Sequence, residues 1–305
     1  MAKKAAGKGK KRRFFAFKVI SALLLAALLL AGGMHLSARV LFVRYASVAL
    51  EDLPSAFDGV RVLFLSDLDV TSKREAQVTA RLLETLHALA PDIVLLGGDY
   101  ANPSFWDRLN GTEDAQAMAQ LRQQVFQALA AFDAPLGKYA VIGDGDVLPE
   151  QLAEEFSQVG VRLLCDEALP IRKDGQTISL LGLAPDPSSG ADYQVLAESF
   201  LSGDLVLAFA HSPESFVNTQ TTEASDGGGW VDLFLAGHTH GGQIVLAGRT
   251  LLDLTEHERR YLSGWRKEGN TFLLTSCGVG CEGAAFRLGT RPEVHLITLY
   301  CADKE

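Results

Sequence analysis

Nine short apolar runs recur between residues 60 and 300: VRVLFLS (60–66), DIVLLG (92–97), KYAVIG (138–143), TISLLGLA (177–184), DLVLAFA (204–210), VDLFLA (231–236), QIVLAG (243–248), TFLLTS (271–276) and VHLITLY (294–300). Each has strand length, many are rich in Val and Ile, and each is bounded by Gly, Pro, Asp or Ser. Between some of them lie stretches with apolar residues at helical spacing, at 72–90, 115–132 and 149–160, the first stopped by Pro91. Strands alternating with helices early, then strand-rich sequence later, restrict the chain to a mixed, layered α/β domain. There is no internal repeat, and Asp226–Gly229 reads as a loop tip, so about 260 residues form one domain.

The chain begins differently. Seven Lys and Arg fall within MAKKAAGKGKKRRFF, and the apolar run VISALLLAALLLAGGM (19–34) follows. Phe14 to Phe17 and the stretch to Val43 can lengthen that run to membrane-spanning size. A buried helix would not carry such a basic flank, which leaves a cleaved signal or a retained anchor. The exit AGGMHLSARV has weak cleavage patterns and no lipid-accepting cysteine, which favours an anchor. We therefore expect a basic cytoplasmic tail at 1–13, a transmembrane signal anchor at 14–37, and a folded domain at 38–305. The basic flank stays in the cytoplasm, so the domain is expected at the outer face of the membrane. Arg12-Arg13-Phe14-Phe15 is similar to the core of a twin-arginine export signal.

A net charge of −9 argues against nucleic acid as the main partner. Four cysteines do not make a disulfide framework. Cys277 and Cys281 are near enough for a local bridge, though buried free thiols are expected.

Five of the runs deliver Asp or His at their C-terminal ends: Asp67 and Asp69, Asp99, Asp144 and Asp146, His211, and His238 with His240. In α/β sheets that rim is where ligands bind. Residues i and i+2 of an extended chain point the same way, so His238 with His240, and Asp67 with Asp69, can enter one site together. Carboxylates and imidazoles gathered there have the chemistry to hold one or two cations, and two ions can clamp and activate water against a phosphate ester.

On these motifs the sequence resembles the calcineurin-like metallophosphoesterases, in their membrane-anchored, exported bacterial branch. The resemblance runs from about Leu50 to Leu299 and is carried by DLPSAFDGVRVLFLSDLD, LAPDIVLLGGDY, GHTHGGQI, RRYLSGWRKEG and FRLGTRPEVHLITL. It implies a four-layer α/β/β/α sandwich with a dinuclear centre, hydrolysing a phosphomonoester, phosphodiester or pyrophosphate. By position it implies that Asp67, Asp69, Asp99 and His240 hold one metal. Asp99 would bridge to a second, held also by Asp144, His211 and His238.

Two motifs depart from the family pattern. Asp67-Leu68-Asp69 stands where Asp-x-His is usual, and Gly143-Asp144-Gly145-Asp146 where Gly-Asn-His-Asp/Glu is usual. Gly145 occupies the position of the substrate-facing histidine and can donate no proton. Four carboxylates would cancel the charge of two divalent ions, favouring Mn, Mg or Fe over Zn. The expectation is a phosphoric ester hydrolase weakened towards poor leaving groups. The alternatives are a catalytically silent metal- or phosphate-binding protein of the same fold and a metal-free scaffold. Anchoring suits a lipid-linked phosphate, a sugar-nucleotide lipid precursor or a wall polymer. His35, His87 and His295 read as structural, and His257, Arg259 and Arg260 as a solvated charged loop, the alternative being a loop over the site.

Overall fold

The computed structural model describes residues 2–185 and 192–302, with side chains from residue 14 onward. The chain runs α1 (Ala2–Ser37), β1 (Phe42–Leu50), β2 (Arg61–Leu65), α2 (Lys73–Leu86), β3 (Ile93–Leu96), α3 (Phe105–Asn110), α4 (Ala115–Leu129), β4 (Lys138–Ala140), α5 (Pro149–Gln158) and β5 (Arg162–Leu163). It continues through β6 (Glu167–Lys173), β7 (Gln176–Gly182), α6 (Tyr193–Ala197), β8 (Val206–Phe209), α7 (Glu214–Thr219) and β9 (Leu233–Ala236). Last come β10 (Val245–Leu246), β11 (Arg249–Thr250), α8 (Glu256–Arg260), β12 (Gly264–Glu268), β13 (Thr271–Thr275) and β14 (Glu293–Cys301).

Two six-stranded sheets result, ordered β1-β14-β2-β3-β4-β5 and β12-β13-β9-β8-β7-β6. The period-two alternation of the strands builds the layers. Val62, Phe64, Ile93 and Leu95 of the first sheet meet Leu207, Phe209, Leu233 and Leu235 of the second in one core between the sheets. The intervening residues Leu63, Leu65, Val94 and Leu96 face outward and pack under α2, α4 and α5 through Leu83, Phe126 and Phe156. On the far side, Val206, Ala208, Phe234 and Ala236 pack beneath Tyr193, Phe216 and Trp230. A slip of one residue would exchange the two faces, so the alternation fixes the register. The architecture is the expected α/β/β/α sandwich, preceded by one apolar helix.

Local chemistry sets the helix limits. Ser72 caps α2 by accepting the Glu75 N–H, and Ala76, Thr79, Leu83 and Leu86 form its buried stripe. Asp114 caps α4 by accepting from Gln116 and Ala117. Arg122 of α4 is fully buried and grips Glu155 of α5, Nε to Oε2 at 2.7 Å and Nη2 to Oε1 at 3.0 Å. Its remaining N–H groups donate to the carbonyls of Val147 and Leu148, steadying the turn that follows residues 143–146.

Three expectations change. QIVLAG supplies only β10, which pairs with β11 in a small hairpin apart from both sheets. Gln243 and Ala247, at φ +46° and +51°, leave the extended conformation and cut that run short. The stretch to Val43 does not prolong the helix: α1 ends at Ser37, and Phe42 already begins β1, paired in parallel with β14. His257, Arg259 and Arg260 lie in the short helix α8 rather than a loop. The four cysteines are free, and within α1 the segment Phe14–Ser37 is long and apolar enough to cross a membrane.

Candidate metal centre

The parallel strands β2, β3 and β4 of one sheet and β8 and β9 of the other end at one rim. Just beyond, the backbone bends sharply. Asp67, Asp69, Asp99, His238 and His240 all adopt left-handed conformations, with φ between +46° and +69°. Such conformations cost energy in residues other than glycine and cluster at functional sites. Two glycines are required by close approach. A Cβ on Gly98 would stand 2.6 Å from the Gly143 nitrogen and 2.9 Å from His211 Nδ1. One on Gly237 would collide with the Asp67 carboxylate.

The seven side chains singled out from the sequence meet here. Ligand atoms of Asp144, His211 and His238 lie within 4.8 Å of one another, as do those of Asp67, Asp99 and His211. His211 is the member common to both groups. His240 Nε2 is 3.5 Å from Asp69 Oδ2 and 3.8 Å from Asp67 Oδ1. The imidazoles are oriented by their other nitrogens. The Gly97 carbonyl, 2.8 Å from His211 Nδ1, can only accept, so Nδ1 carries a proton and Nε2 is turned into the site. Nε2 faces Asp144 Oδ1 at 2.8 Å and Asp99 Oδ1 at 3.7 Å. His238 sets Nδ1 on Asp144 Oδ1 and Nε2 on Glu258 Oε1, both at 3.0 Å.

The electrostatics are those of a cation site. Burial pushes the Asp67 carboxyl above its usual range and Asp69 well above, with the Asp99 charge adding to both. Burial opposes protonation of His211 and His238, yet neighbouring carboxylates win: His211 is held well above the ordinary imidazole value, and His238 is raised to about 10 by Asp144 and Glu258. His240 goes the other way, held well below by burial and by Arg287. Oδ2 of Asp67 and Oδ2 of Asp69 are buried with no hydrogen-bond partner. A buried carboxylate oxygen without a donor is costly, and a bound cation is the group that satisfies it. The donor set therefore fits a metal.

Three further residues shape the centre. Asn102 Nδ2 donates to Asp69 Oδ1 at 2.6 Å and to Asp99 Oδ2 at 3.2 Å, bridging two carboxylates. Glu258, from α8, steadies His238. Arg287 is fully buried and spends Nη2 on the carbonyls of Cys277 at 2.7 Å and Gly280 at 2.6 Å, with His240 Nδ1 3.4 Å away. Asp146 turns away from the cluster: its carboxylate accepts from the N–H groups of Asp99, Tyr100 and Gly143, and burial beside Asp99 raises it to about 7. Gly145 donates its backbone N–H to Asp99 Oδ1 at 2.9 Å. A Cβ at Gly145 would collide with Asn102 Oδ1.

The other singled-out residues do not enter. Arg259 Nε donates to the Leu254 carbonyl, and Arg260 pairs with Glu268. His35 Nδ1 bonds the Ala285 carbonyl, His87 edges against Phe132, and His295 is buried beside Glu293.

No family model matches the chain. It is 28% identical over 238 residues to "Uncharacterized protein YpbG" of Bacillus subtilis, covering 78% of this chain and 80% of that one. Likeness to "Phosphodiesterase YaeI" of Escherichia coli is 27% over 253 residues, covering 78% and 82%. With "Uncharacterized metallophosphoesterase YkuE" of Bacillus subtilis it is 24% over 306 residues, covering 96% and 98%. Among solved structures, a dimetal phosphatase from Danio rerio matches at 11% identity with a TM-score of 0.42, covering 73% of this chain and 88% of that one. With sequence relatives named metallophosphoesterase and phosphodiesterase, a four-layer α/β/β/α sandwich and an Asp/His cluster at its rim, the chain is similar to the calcineurin-like metallophosphoesterases.

Proposed function

We propose that the protein is a metal-dependent phosphoester hydrolase, held by α1 at the outer face of a membrane and weak towards poor leaving groups. The observation that carries this reading is the gathering of buried, unpartnered carboxylate oxygens and oriented imidazoles at one rim. Asp67, Asp69, Asp99 and His240 would hold one divalent ion, and Asp99, Asp144, His211 and His238 a second. Bound there, such ions supply charge neutralisation for the phosphate and an acidified water. Four carboxylates offset the charge of two divalent ions, which suits Mn, Mg or Fe.

The chain's own groups do the rest. The Gly97 carbonyl and Glu258 aim His211 and His238, and this orientation sets which nitrogen of each ring is offered. Asn102 holds Asp69 and Asp99 together. Gly145 leaves the leaving-group side without a proton donor, so expulsion relies on the intrinsic stability of the departing anion. Loss of a positioned acid costs about 10²–10⁴ in rate, least for aryl esters. That same glycine favours the second reading, a silent metal- or phosphate-binding protein of this fold.

Supporting the anchor are the basic residues before Phe14 and the largely exposed apolar segment Phe14–Ser37. Arg12-Arg13 suits a twin-arginine route, tested by a reporter fused to residues 1–45 with both arginines changed to lysine. A lipid-linked phosphate is the substrate class that location favours. The test of function starts with metal analysis of protein purified without chelator, followed by assay of an aryl phosphate and an aryl phosphodiester with Mn²⁺. Bound metal with turnover supports the hydrolase, bound metal without turnover the silent binder, and an empty centre removes both. Asp99→Asn and His238→Ala should abolish turnover; full rate in either variant assigns it to a contaminant.

A further inference from the structure

A cavity of about 270 Å³ opens beside α2, with Leu41, Leu68, Val78, Leu82 and Val279 on its wall together with Asp69 and Glu75. One end of it is built by Ala38 and Arg39, the residues that leave α1. The cavity thus lies between the segment emerging from the proposed membrane span and Asp69, whose carboxylate belongs to the metal centre. The end of α1 is bonded directly to the loop at 285–287. The Met34 carbonyl accepts from the Arg287 backbone N–H at 3.1 Å, and His35 bonds Ala285 in the same loop.

The surroundings match a bilayer surface. Leu36 and Val40 are exposed at the helix exit. Helix α3 presents Phe105, Trp106 and Leu109, with Trp106 66% exposed. It is tied to the same loop by the Arg108–Glu282 pair at 3.2 Å. Arg39 and Arg74 line the cavity, and among the described residues neither forms an ion pair with a carboxylate. Exposed aromatic and aliphatic side chains with free cations, beside a membrane-spanning helix, are the composition of a lipid-facing surface. The apolar part of the cavity wall suits hydrocarbon, while Arg39 and Arg74 on the same wall suit an anionic headgroup.

We propose that this cavity receives an acyl chain of a membrane lipid phosphoester, whose phosphate then lies at the metal centre while Arg39 and Arg74 meet the anionic headgroup region. The proposal rests on the hydrolase reading and the anchor, and it deepens both by naming the substrate class as a lipid.

The test uses the full chain in maltoside micelles with Mn²⁺ and a series of 4-nitrophenyl alkyl phosphates, from ethyl to octyl. The leaving group stays constant while the retained chain grows. Each methylene buried should lower KM about fourfold, until the slot is filled. Val78→Glu, a substitution at a 59% exposed helical position, should flatten that dependence. Cleavage of every ester with one KM overturns the acyl site and leaves the hydrolase reading standing. With no ester cleaved the hydrolase reading falls, and a binding measurement decides the cavity by itself. Octyl phosphonate, unlike ethyl phosphonate, should then slow maleimide alkylation of Cys281 in the cavity wall, read by peptide mass. Equal labelling with both phosphonates overturns the proposal.

Discussion

Placing a histidine at position 145 tests the proposal that lack of a proton donor there limits hydrolysis. The backbone there has no positive φ, so the obstacle is the neighbour rather than the main chain. A Cβ would collide with Asn102 Oδ1 and lie 3.0 Å from Asp99 Oδ2. Asn102 would have to retreat by roughly 1 Å to reach ordinary contact. Retreat strains the 2.6 Å and 3.2 Å bonds by which it joins Asp69 to Asp99, at a cost of about 1–3 kcal/mol. Gly145→His alone should therefore lower both thermal stability and metal content. Combined with Asn102→Ala, the ring gains room beside the centre. The double variant should then raise kcat on an alkyl phosphomonoester by about 10²–10⁴, equivalent to roughly 3–5 kcal/mol of barrier. On 4-nitrophenyl phosphate the gain should be small, because that anion leaves without help. The assay is kcat on both esters at saturating Mn²⁺, with bound metal measured in each variant. An equal change on both esters at unchanged metal content would refute the argument that Gly145 is the site of the deficit.

Other outcomes follow from the same geometry. Glu258→Gln should weaken metal affinity by about 10–100-fold in a metal titration, since it removes the carboxylate that orients His238 through Nε2. Arg122→Ala removes the partner of buried Glu155 and frees the turn at 147–148; denaturant unfolding should show a loss of about 3–5 kcal/mol. Asp232 accepts the Val206 N–H at 2.8 Å, and burial raises its carboxyl to about 6 from 3.8. A raised carboxyl binds protons more readily in the folded state, so its contribution to stability grows as pH falls from about 6 to about 4 and is lost as pH rises through 6. Asp232→Asn should remove that slope and raise stability at pH 7 by up to about 3 kcal/mol in urea melts.

The layered sandwich was legible because each strand alternates between two buried faces, as Val62 and Phe64 against Leu63 and Leu65 show. The rim residues were legible for a related reason: a polar group ending an apolar run has few places to go other than the sheet's edge. Strand β1 was hidden, since Arg44, Tyr45, Ser47 and Ala49 are exposed and the run directly follows the hydrophobic segment. Strand β6 carries Pro170 and several polar residues, as an edge strand can. Among the residues around the metal centre, Asn102 offered a faint local signal, three positions after Asp99. Glu258 and Arg287 offered none, because their partners lie 20 and 47 positions away and only tertiary packing brings them in. The role of Asp146 was misleading in charge: it reads as one more ligand oxygen, yet it serves the backbone of the motif itself.

Only four residues separate Ser37 from Phe42, and the strand that follows is zipped along its whole length to β14. A head joined this way cannot swivel on a slack tether. With α1 crossing a bilayer, any lean imposed by hydrocarbon thickness is transmitted through Met34 to the Arg287 backbone, whose guanidinium packs on the carbonyls framing His240 and Asp67. On the proposed anchoring, the thickness of the surrounding lipid would be a mechanical input to the geometry of the metal-centre rim.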